Sequence, residues 1–564
     1  MLQLYTEDTY EVESEPLFGY MRGKYTRRDL CCIDDFAYDL GIEAIPCIQT
    51  LGHLGQVLQW PHYAHLRDNT EVLLAEFEPT YEFIERLISA ATGPFRSKRI
   101  HLGMDETYGL GEGRYRQIFG YKEPTKIFLQ HLNRVMEICS RYSLQPMIWS
   151  DMLFCLAAKN NSLQGYYDQD NNPANSGELV ESMPSDIDLV FWDYYHTNQD
   201  VYEHKLRQHR DLGCNQVWLA NGAWSWSRFW TALPFTFQSI RASVLAAKNK
   251  NTPVKNSFIT IWGDEGNECD IFSALPAILY YAQLGYCDED NVDFILLKQT
   301  FDGICGGNFD DWVYASKIDD SPAGNIITSR THFVPNTSKW LLWEDPMLGF
   351  LTPQYMEEDL ETHYSQIAEH LFSAIRKKIE IYERYPLNDR LELPARIAKV
   401  LSLKCHLRQK CVTAYKNKDY MTLYDIAMNR LLPLRKEVDG LWEYHRQLWM
   451  QMYRPFGWEV LELRYGGLRA RLATMFDRII QFIEHKNITL DQHQPYTNRN
   501  IVDYDNELDQ DQDNDVDIDD DDDNDETDQY DLPEFDVDLQ YLYVGSKTNM
   551  LLDYSRVVSP SRPG

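Results

Sequence analysis

Basic charge is scarce in this chain of 564 residues: 54 Lys and Arg stand against 87 Asp and Glu, a formal net charge of −33. Seventeen of the acidic residues lie between Asp503 and Asp531, so about half of the excess belongs to one segment and the remainder is moderately acidic. Neither portion offers the basic patch that phosphate backbones require, which argues against a nucleic-acid partner. No apolar run of about 18 residues is present, so no membrane-spanning helix is expected. The N-terminus has neither the basic start nor the apolar stretch of a signal peptide. The 11 cysteines include the adjacent pair Cys31-Cys32 but show no C-x-x-C spacing, and they read as reduced thiols of a cytoplasmic protein. The His and Cys residues lack metal-ligand spacing, so no metal site is expected. Gly109, Gly111 and Gly113 do not open a cofactor-type βα turn, which leaves a dinucleotide reading poor.

What is present is apolar and aromatic. Hydrophobic residues make up 44% of the chain, enough for a large barrel and a further domain. The 14 Trp and 36 Tyr suit stacking against sugar rings, although aromatics also fill cores.

Short apolar runs alternate with helical spacers. Leu2 to Tyr5 reads as a strand ending in Thr6-Glu7-Asp8, and a helix from Arg27 to about Leu40 follows, stopped by Gly41. Ala44 to Gln49 is a strand that runs into Gly52-His53, and a helix near Thr80 to Ala91 leads to the strand Ile100-His101-Leu102. Beyond a helix from Thr125 to Tyr142, strands close at Trp149, Trp192, Ala220 and Trp262. Seven strands alternating with helices imply a parallel sheet, and polar and aromatic residues at every strand end match the active face of a (β/α)8 TIM-type barrel. A doubly wound open sheet would gather its ligand residues at one switch point. From about Leu360 the rhythm becomes purely helical: Tyr364, Ile367, Leu371 and Ile375, then Ile397, Val400, Leu401, Leu407 and Val412, then stretches 423 to 452 and 458 to 485. The expected organisation is a barrel over 1–335, a helical C-terminal domain over 336–497, an acidic low-complexity segment over 498–531 and a tail over 532–564, whose Tyr541 to Val544 and Val557 to Ser559 are suited to ordering against the body.

The chemistry concentrates at His101-Leu102-Gly103-Met104-Asp105-Glu106, an apolar strand that stops at two adjacent carboxylates. Neighbours on a strand point to opposite faces, so Asp105 and Glu106 share a site only if the chain is already turning into a loop. One carboxyl can protonate a glycosidic oxygen while the other stabilises the developing positive charge. An exposed Asp-Glu pair opening a helix is the plainer reading of such a dipeptide.

These residues resemble the signature His-x-Gly-Gly-Asp-Glu of glycoside hydrolase family 20 β-N-acetylhexosaminidases, with Met104 in place of the second Gly, as in the hexosaminidase D-like and bacterial exo-β-N-acetylglucosaminidase branch. Phe456-Gly457-Trp458-Glu459-Val460 and Arg464-Tyr465-Gly466-Gly467 resemble the helical domain of the same branch. The resemblance implies an exo-acting retaining enzyme without cofactor or metal, which removes terminal N-acetylglucosamine or N-acetylgalactosamine from glycans through an oxazoline formed by the substrate's own acetamido oxygen. It makes Glu106 the acid and then the base, and Asp105 the group that orients the acetamido N–H. His53 would join the carboxylate network, together with Asp8 or Glu7, and Gln49 stands where the family usually has Asp. His101 belongs to the signature. Trp149, Trp192 and Trp262, each at a strand end, would form an aromatic box, and Asp264 would take the outer sugar hydroxyls. The family's acetamido-carbonyl donor is a Tyr after the seventh strand, absent here; Tyr194 or Tyr195 could replace it, or Trp224 and Trp226 could line the wall. In the family the first barrel strand carries a sugar-binding Arg, and the match begins at the second strand, so the first strand is expected to be missing from this sequence. The competing reading is a carbohydrate-binding or scaffold barrel that has lost turnover.

Overall fold

The computed structural model describes residues 1–158, 164–167, 170–213, 216–251, 254–264, 266–288, 290–322, 334–349, 352–377, 385–486 and 529–539. The acidic segment as far as Asp528, and the closing segments 541–544 and 557–559, lie outside the described residues.

Seven strands form one sheet: β1 (Leu2–Tyr5), β2 (Ala44–Cys47), β3 (Arg99–His101), β4 (Gln145–Trp149), β5 (Asp188–Trp192), β6 (Val217–Ala223) and β7 (Asn256–Ile261). They stand side by side in chain order, every pair parallel, with registers such as Leu2↔Ala44, Trp192↔Ala220 and Ala223↔Ile261. β4 and β5 are buried along all but their first residues, which is why they read as continuous apolar runs rather than alternating ones. The connecting helices Arg27–Asp39, Glu78–Thr92, Pro124–Arg141, Gln199–Asp211 and Leu233–Lys248 cover the outside. The first begins in a capping box: the Thr26 hydroxyl accepts the Asp29 N–H while the Asp29 carboxylate accepts the Thr26 N–H.

The sheet is curled until strands far apart in order meet inside it. Gln3 on β1 donates its side-chain N–H to the Met147 sulfur on β4 at 3.6 Å, and Trp149 on β4 lies 6.2 Å from the Phe258 ring on β7. Tyr5, ending β1, packs edge-on against Trp262, just past β7, at 4.9 Å. An open sheet would hold its edges apart; here seven strands curl into a TIM-type barrel, with β1 and β7 as the edges of the ladder.

Two apolar cores result. One fills the barrel from Tyr10 to Ala246, with Ile48, Ile100, Ile148 and Val190 fully buried. The other joins Trp230 and Leu233 of the last barrel units to the helices Leu360–Arg376, Glu392–Lys404, Leu432–Met452 and Trp458–His485. Trp230 and Trp312 meet at 5.2 Å within it.

The helical region differs from the sequence reading at two joints. The rhythm over 397–412 is broken between Glu392–Lys404 and Leu407–Lys416 by His406 at φ +58, whose Nε2 lies 2.9 Å from the Glu358 carbonyl. The stretch over 423–452 stays helical throughout but widens into a π-helical turn at Ala427–Leu431, beside Pro433, which lacks an N–H. β7 also ends one residue earlier than expected, leaving Trp262 in the following loop.

The glycine-rich stretch after Asp105-Glu106 closes on a carboxylate of the chain itself. Asp68 accepts the Gly111 N–H at 2.7 Å and the Tyr115 N–H at 2.8 Å, seating the loop behind the strand-end carboxylates. Replacing Asp68 with Ala strands both buried donors and is expected to lower the unfolding free energy by about 3 kcal/mol, read from urea denaturation. A change under about 1 kcal/mol would show that the loop does not depend on this carboxylate.

Candidate active site

The backbone leaves β3 through three left-handed residues: Gly103 at φ +71, Met104 at +69 and Glu106 at +48. A Cβ at Gly103 would collide with the Gln49 side-chain oxygen and approach the Ile48 carbonyl to 2.8 Å, so that position is closed to other residues. Met104 pays about 1–2 kcal/mol for its conformation. Full burial of its side chain offsets a cost of that size, which explains how Met replaces Gly here. The turn brings Asp105 and Glu106, which a continued strand would separate, to one cavity of about 330 Å³ at the C-terminal end of the barrel.

A hydrogen-bonded chain crosses the floor of this cavity. The Tyr5 hydroxyl donates to Glu7 at 3.2 Å, and the Gln49 amide donates to the Tyr5 oxygen at 3.2 Å and to Asp105 at 2.9 Å. His53 Nε2 lies 3.2 Å from Asp105 and 3.5 Å from Glu106. Burial opposes a charge on His53, but the hydrogen bond and charge of Asp105, with Glu106 and Glu7 beyond, raise its pKa to about 10. Burial likewise opposes ionisation of Asp105; His53 and the Gln49 amide overcome it and hold this carboxyl below its ordinary value. Glu106 goes the other way, raised first by burial and then by the neighbouring Asp105 charge. Two adjacent carboxyls are thus driven apart, one kept ionised and one disposed to hold a proton.

A third carboxyl lies behind them. Asp151, the first residue of the helix Asp151–Ala157, is fully buried; one oxygen accepts the Glu106 N–H at 3.0 Å and the other the Trp192 indole N–H at 3.3 Å. It therefore ties the backbone of Glu106 to the aromatic wall. Burial, followed by the Asp105 charge, raises its pKa to about 8.

Aromatic rings close the sides. Trp149, Trp192 and Trp262 line the cavity, Trp149 and Trp262 meeting at 6.1 Å. The Trp262 indole donates to the Tyr194 hydroxyl at 3.2 Å, and Tyr194, Tyr195, Trp226 and Asp264 complete the lining. Glu7 and His53, named from the sequence, also reach the cavity.

Three of the expected residues stand outside the lining. His101 is buried behind Trp149, ring to ring at 4.4 Å; its Nδ1 accepts the Gly103 N–H, and burial lowers its pKa to about 3, so it braces the turn as a neutral ring. Trp224 forms a second layer 4.3 Å behind Trp226. Asp8 turns away from the cavity and pairs with Arg22 at 3.1 Å. The sequence reading passed over Tyr5 and Asp151 and did not place Gln49 as a donor to Asp105. A signal for Asp151 existed: Trp149-Ser150-Asp151 repeats the spacing of Trp262-Gly263-Asp264. Among the described residues no group of three or more His, Cys, Asp or Glu side chains is arranged to hold a metal ion.

Asp151 has a folded-state pKa above its unfolded value, so the stability it contributes is complete below about pH 4 and is lost as pH rises toward 8. Asp151→Asn removes this titration, and its amide nitrogen must face one of the two donors. The variant is expected to melt lower than the parent at pH 4, with the gap narrowing by pH 8. Parallel melting curves at both pH values would contradict the protonated state assigned to Asp151.

The family model of the glycosyl hydrolase family 20 catalytic domain matches residues 3–206, and that of the glycoside hydrolase 20C C-terminal domain matches residues 310–497. Hexosaminidase D of Homo sapiens is 29% identical over 196 residues, covering 32% of this chain and 36% of the relative. Hexosaminidase D of Bos taurus is 27% identical over 191 residues, covering 32% of this chain and 50% of the relative, so the chain spans half or less of the curated relatives it matches. The solved β-N-acetylhexosaminidase of Bacteroides fragilis aligns with 53% of this chain and 62% of its own at 17% identity and a TM-score of 0.40. With the catalytic and C-terminal models together matching more than half of its residues, the chain belongs to glycoside hydrolase family 20.

Proposed function

We propose that this chain is an exo-acting, retaining β-N-acetylhexosaminidase that hydrolyses terminal N-acetylglucosamine or N-acetylgalactosamine from glycans by substrate-assisted catalysis. The observation that carries the reading is the pair at one cavity, Glu106 with its pKa raised and Asp105 with its pKa lowered, walled by Trp149, Trp192 and Trp262. Hydrolysis of a neutral sugar linkage needs such a division of roles.

In this mechanism the acetamido carbonyl oxygen attacks the anomeric carbon as the glycosidic bond breaks, and Glu106 gives its proton to the departing oxygen. The ring formed is an oxazoline whose positive charge is shared with the acetamido nitrogen. Asp105, ionised and fixed by His53 and Gln49, accepts the N–H and stabilises that charge. Glu106, now a carboxylate, takes a proton from water as it attacks the anomeric carbon, restoring the acetamide and the starting acid. The three tryptophans present apolar faces to the sugar and the acetamido methyl, Tyr194 offers its hydroxyl to the acetamido carbonyl, and Asp264 accepts from the outer hydroxyls.

The test is chromophore release from aryl β-N-acetylglucosaminide and β-N-acetylgalactosaminide. Glu106→Gln and Asp105→Asn are each expected to lower kcat/KM at least about 100-fold without loss of fold. An N-trifluoroacetyl substrate, whose carbonyl is a poor nucleophile, should react far more slowly than the N-acetyl parent. Turnover of both variants within twofold of the parent chain would remove these carboxyls from the chemistry. In the parent, activity should persist above the ordinary carboxyl range and fall as Glu106 loses its proton, the direction set by burial and the Asp105 charge.

A further inference from the structure

Asp264 reaches the cavity from the loop that follows β7, and the support of that loop comes from the helical region. At its near end the Trp262 carbonyl accepts the Ser225 hydroxyl at 2.8 Å, and the Asn267 N–H returns to the Gly263 carbonyl at 2.9 Å. At its far end Glu268 is fully buried between two cations, the Arg464 guanidinium and Lys339 Nζ, the latter at 3.1 Å. Between the ends lies Gly266 at φ +102, with its backbone against Arg464: a Cβ there would stand 3.0 Å from the guanidinium nitrogen. Arg464 thus underlies the loop two residues beyond Asp264. It belongs to Trp458–His485, the helix whose approach also holds the connection after β1, Arg454 donating to the Lys24 carbonyl at 2.9 Å and to Asp29 at 2.7 Å.

We propose that Arg464 is a positioning residue that sets the place of Asp264 in the cavity, so that recognition of the outer sugar hydroxyls is completed by the helical region. This rests on the reading of Asp264 given above. The charge balance favours a clean test: without Arg464, Glu268 still faces Lys339, so no buried charge is stranded, whereas the loop loses the planar group beneath Gly266.

The experiment is a double-mutant cycle with Asp264→Ala, Arg464→Ala and both together, read by chromophore release and by quenching of tryptophan fluorescence with N-acetylglucosamine. Asp264→Ala is expected to lower kcat/KM about 100-fold, and Arg464→Ala about 10-fold with most of the change in KM. The double variant should be no worse than Asp264→Ala alone, because Arg464 acts through Asp264. Arg464→Lys, which keeps the charge toward Glu268 but not the plane beneath Gly266, should give an intermediate loss and takes the place of the alanine variant if that does not fold. Losses that multiply in the double variant, or an Arg464 variant with parental KM and sugar affinity, would overturn the inference while leaving the hydrolase reading intact. A parent chain that neither turns over nor binds the sugar would overturn both.

Discussion

Successive residues of a strand face opposite ways, and this constraint governs the whole site. Asp105 and Glu106 reach one cavity because the chain abandons strand geometry after His101 through left-handed residues, and the surroundings are arranged to hold that departure. Gln49 accepts the Met104 N–H, Asp151 accepts the Glu106 N–H, and His101 accepts the Gly103 N–H. The turn is therefore fixed at three of its four N–H donors between Gly103 and Glu106 by side chains from β3 itself and from just past the ends of β2 and β4. The geometry of the carboxyl pair is a product of the barrel, since a curled parallel sheet delivers those strand ends to one place.

The same residues that shape the turn divide its charges. Gln49 both holds Met104 and donates to Asp105, favouring the ionised form; Asp151 holds the backbone of Glu106, where burial and the Asp105 charge make a second negative charge unwelcome. His53 lies between the two carboxylates and favours a charge on each, more strongly on Asp105, which it approaches more closely. The substitution of Gln for the Asp usual in the family thus leaves Asp105 hydrogen-bonded, by a neutral donor rather than through another acid.

Strands β2, β4 and β5 were legible because they are buried on both faces and so appear as apolar runs, and the polar and aromatic residues that end the strands pointed to the mouth of a barrel. Glu7, Asp105, Glu106 and the three tryptophans stand at or just past those ends, whereas His53 and the roles of all of them came from the family resemblance. Tyr5 and Gln49 depend on partners contributed by other strands, as in the Gln49 contact with Asp105 across 56 positions, and no local pattern records such pairings, whereas Asp151 is marked by its Trp-x-Asp spacing. Trp224 and Trp226 could not be sorted, because the chain leaves β6 at Ala223 and alternation no longer decides which ring faces inward. In the helical region, periodicity found the apolar faces but not the joints. The break at His406 is held by a tertiary contact to Glu358, while Pro433 marks the π-helical turn at Ala427–Leu431 in plain sight.

β1 and β7 stand at the two edges of the hydrogen-bonded ladder, yet Tyr5 and Trp262 bring those edges into contact. The wall of the cavity is therefore also the fastening of the sheet. Under the proposed function Trp262 serves recognition as well as architecture with one ring, and the two duties cannot be separated by substituting it. A weakened Trp262 variant would loosen the seam at which the barrel meets itself, and a sugar lying on that ring would draw the edges together, so that occupancy of the site and closure of the fold reinforce one another.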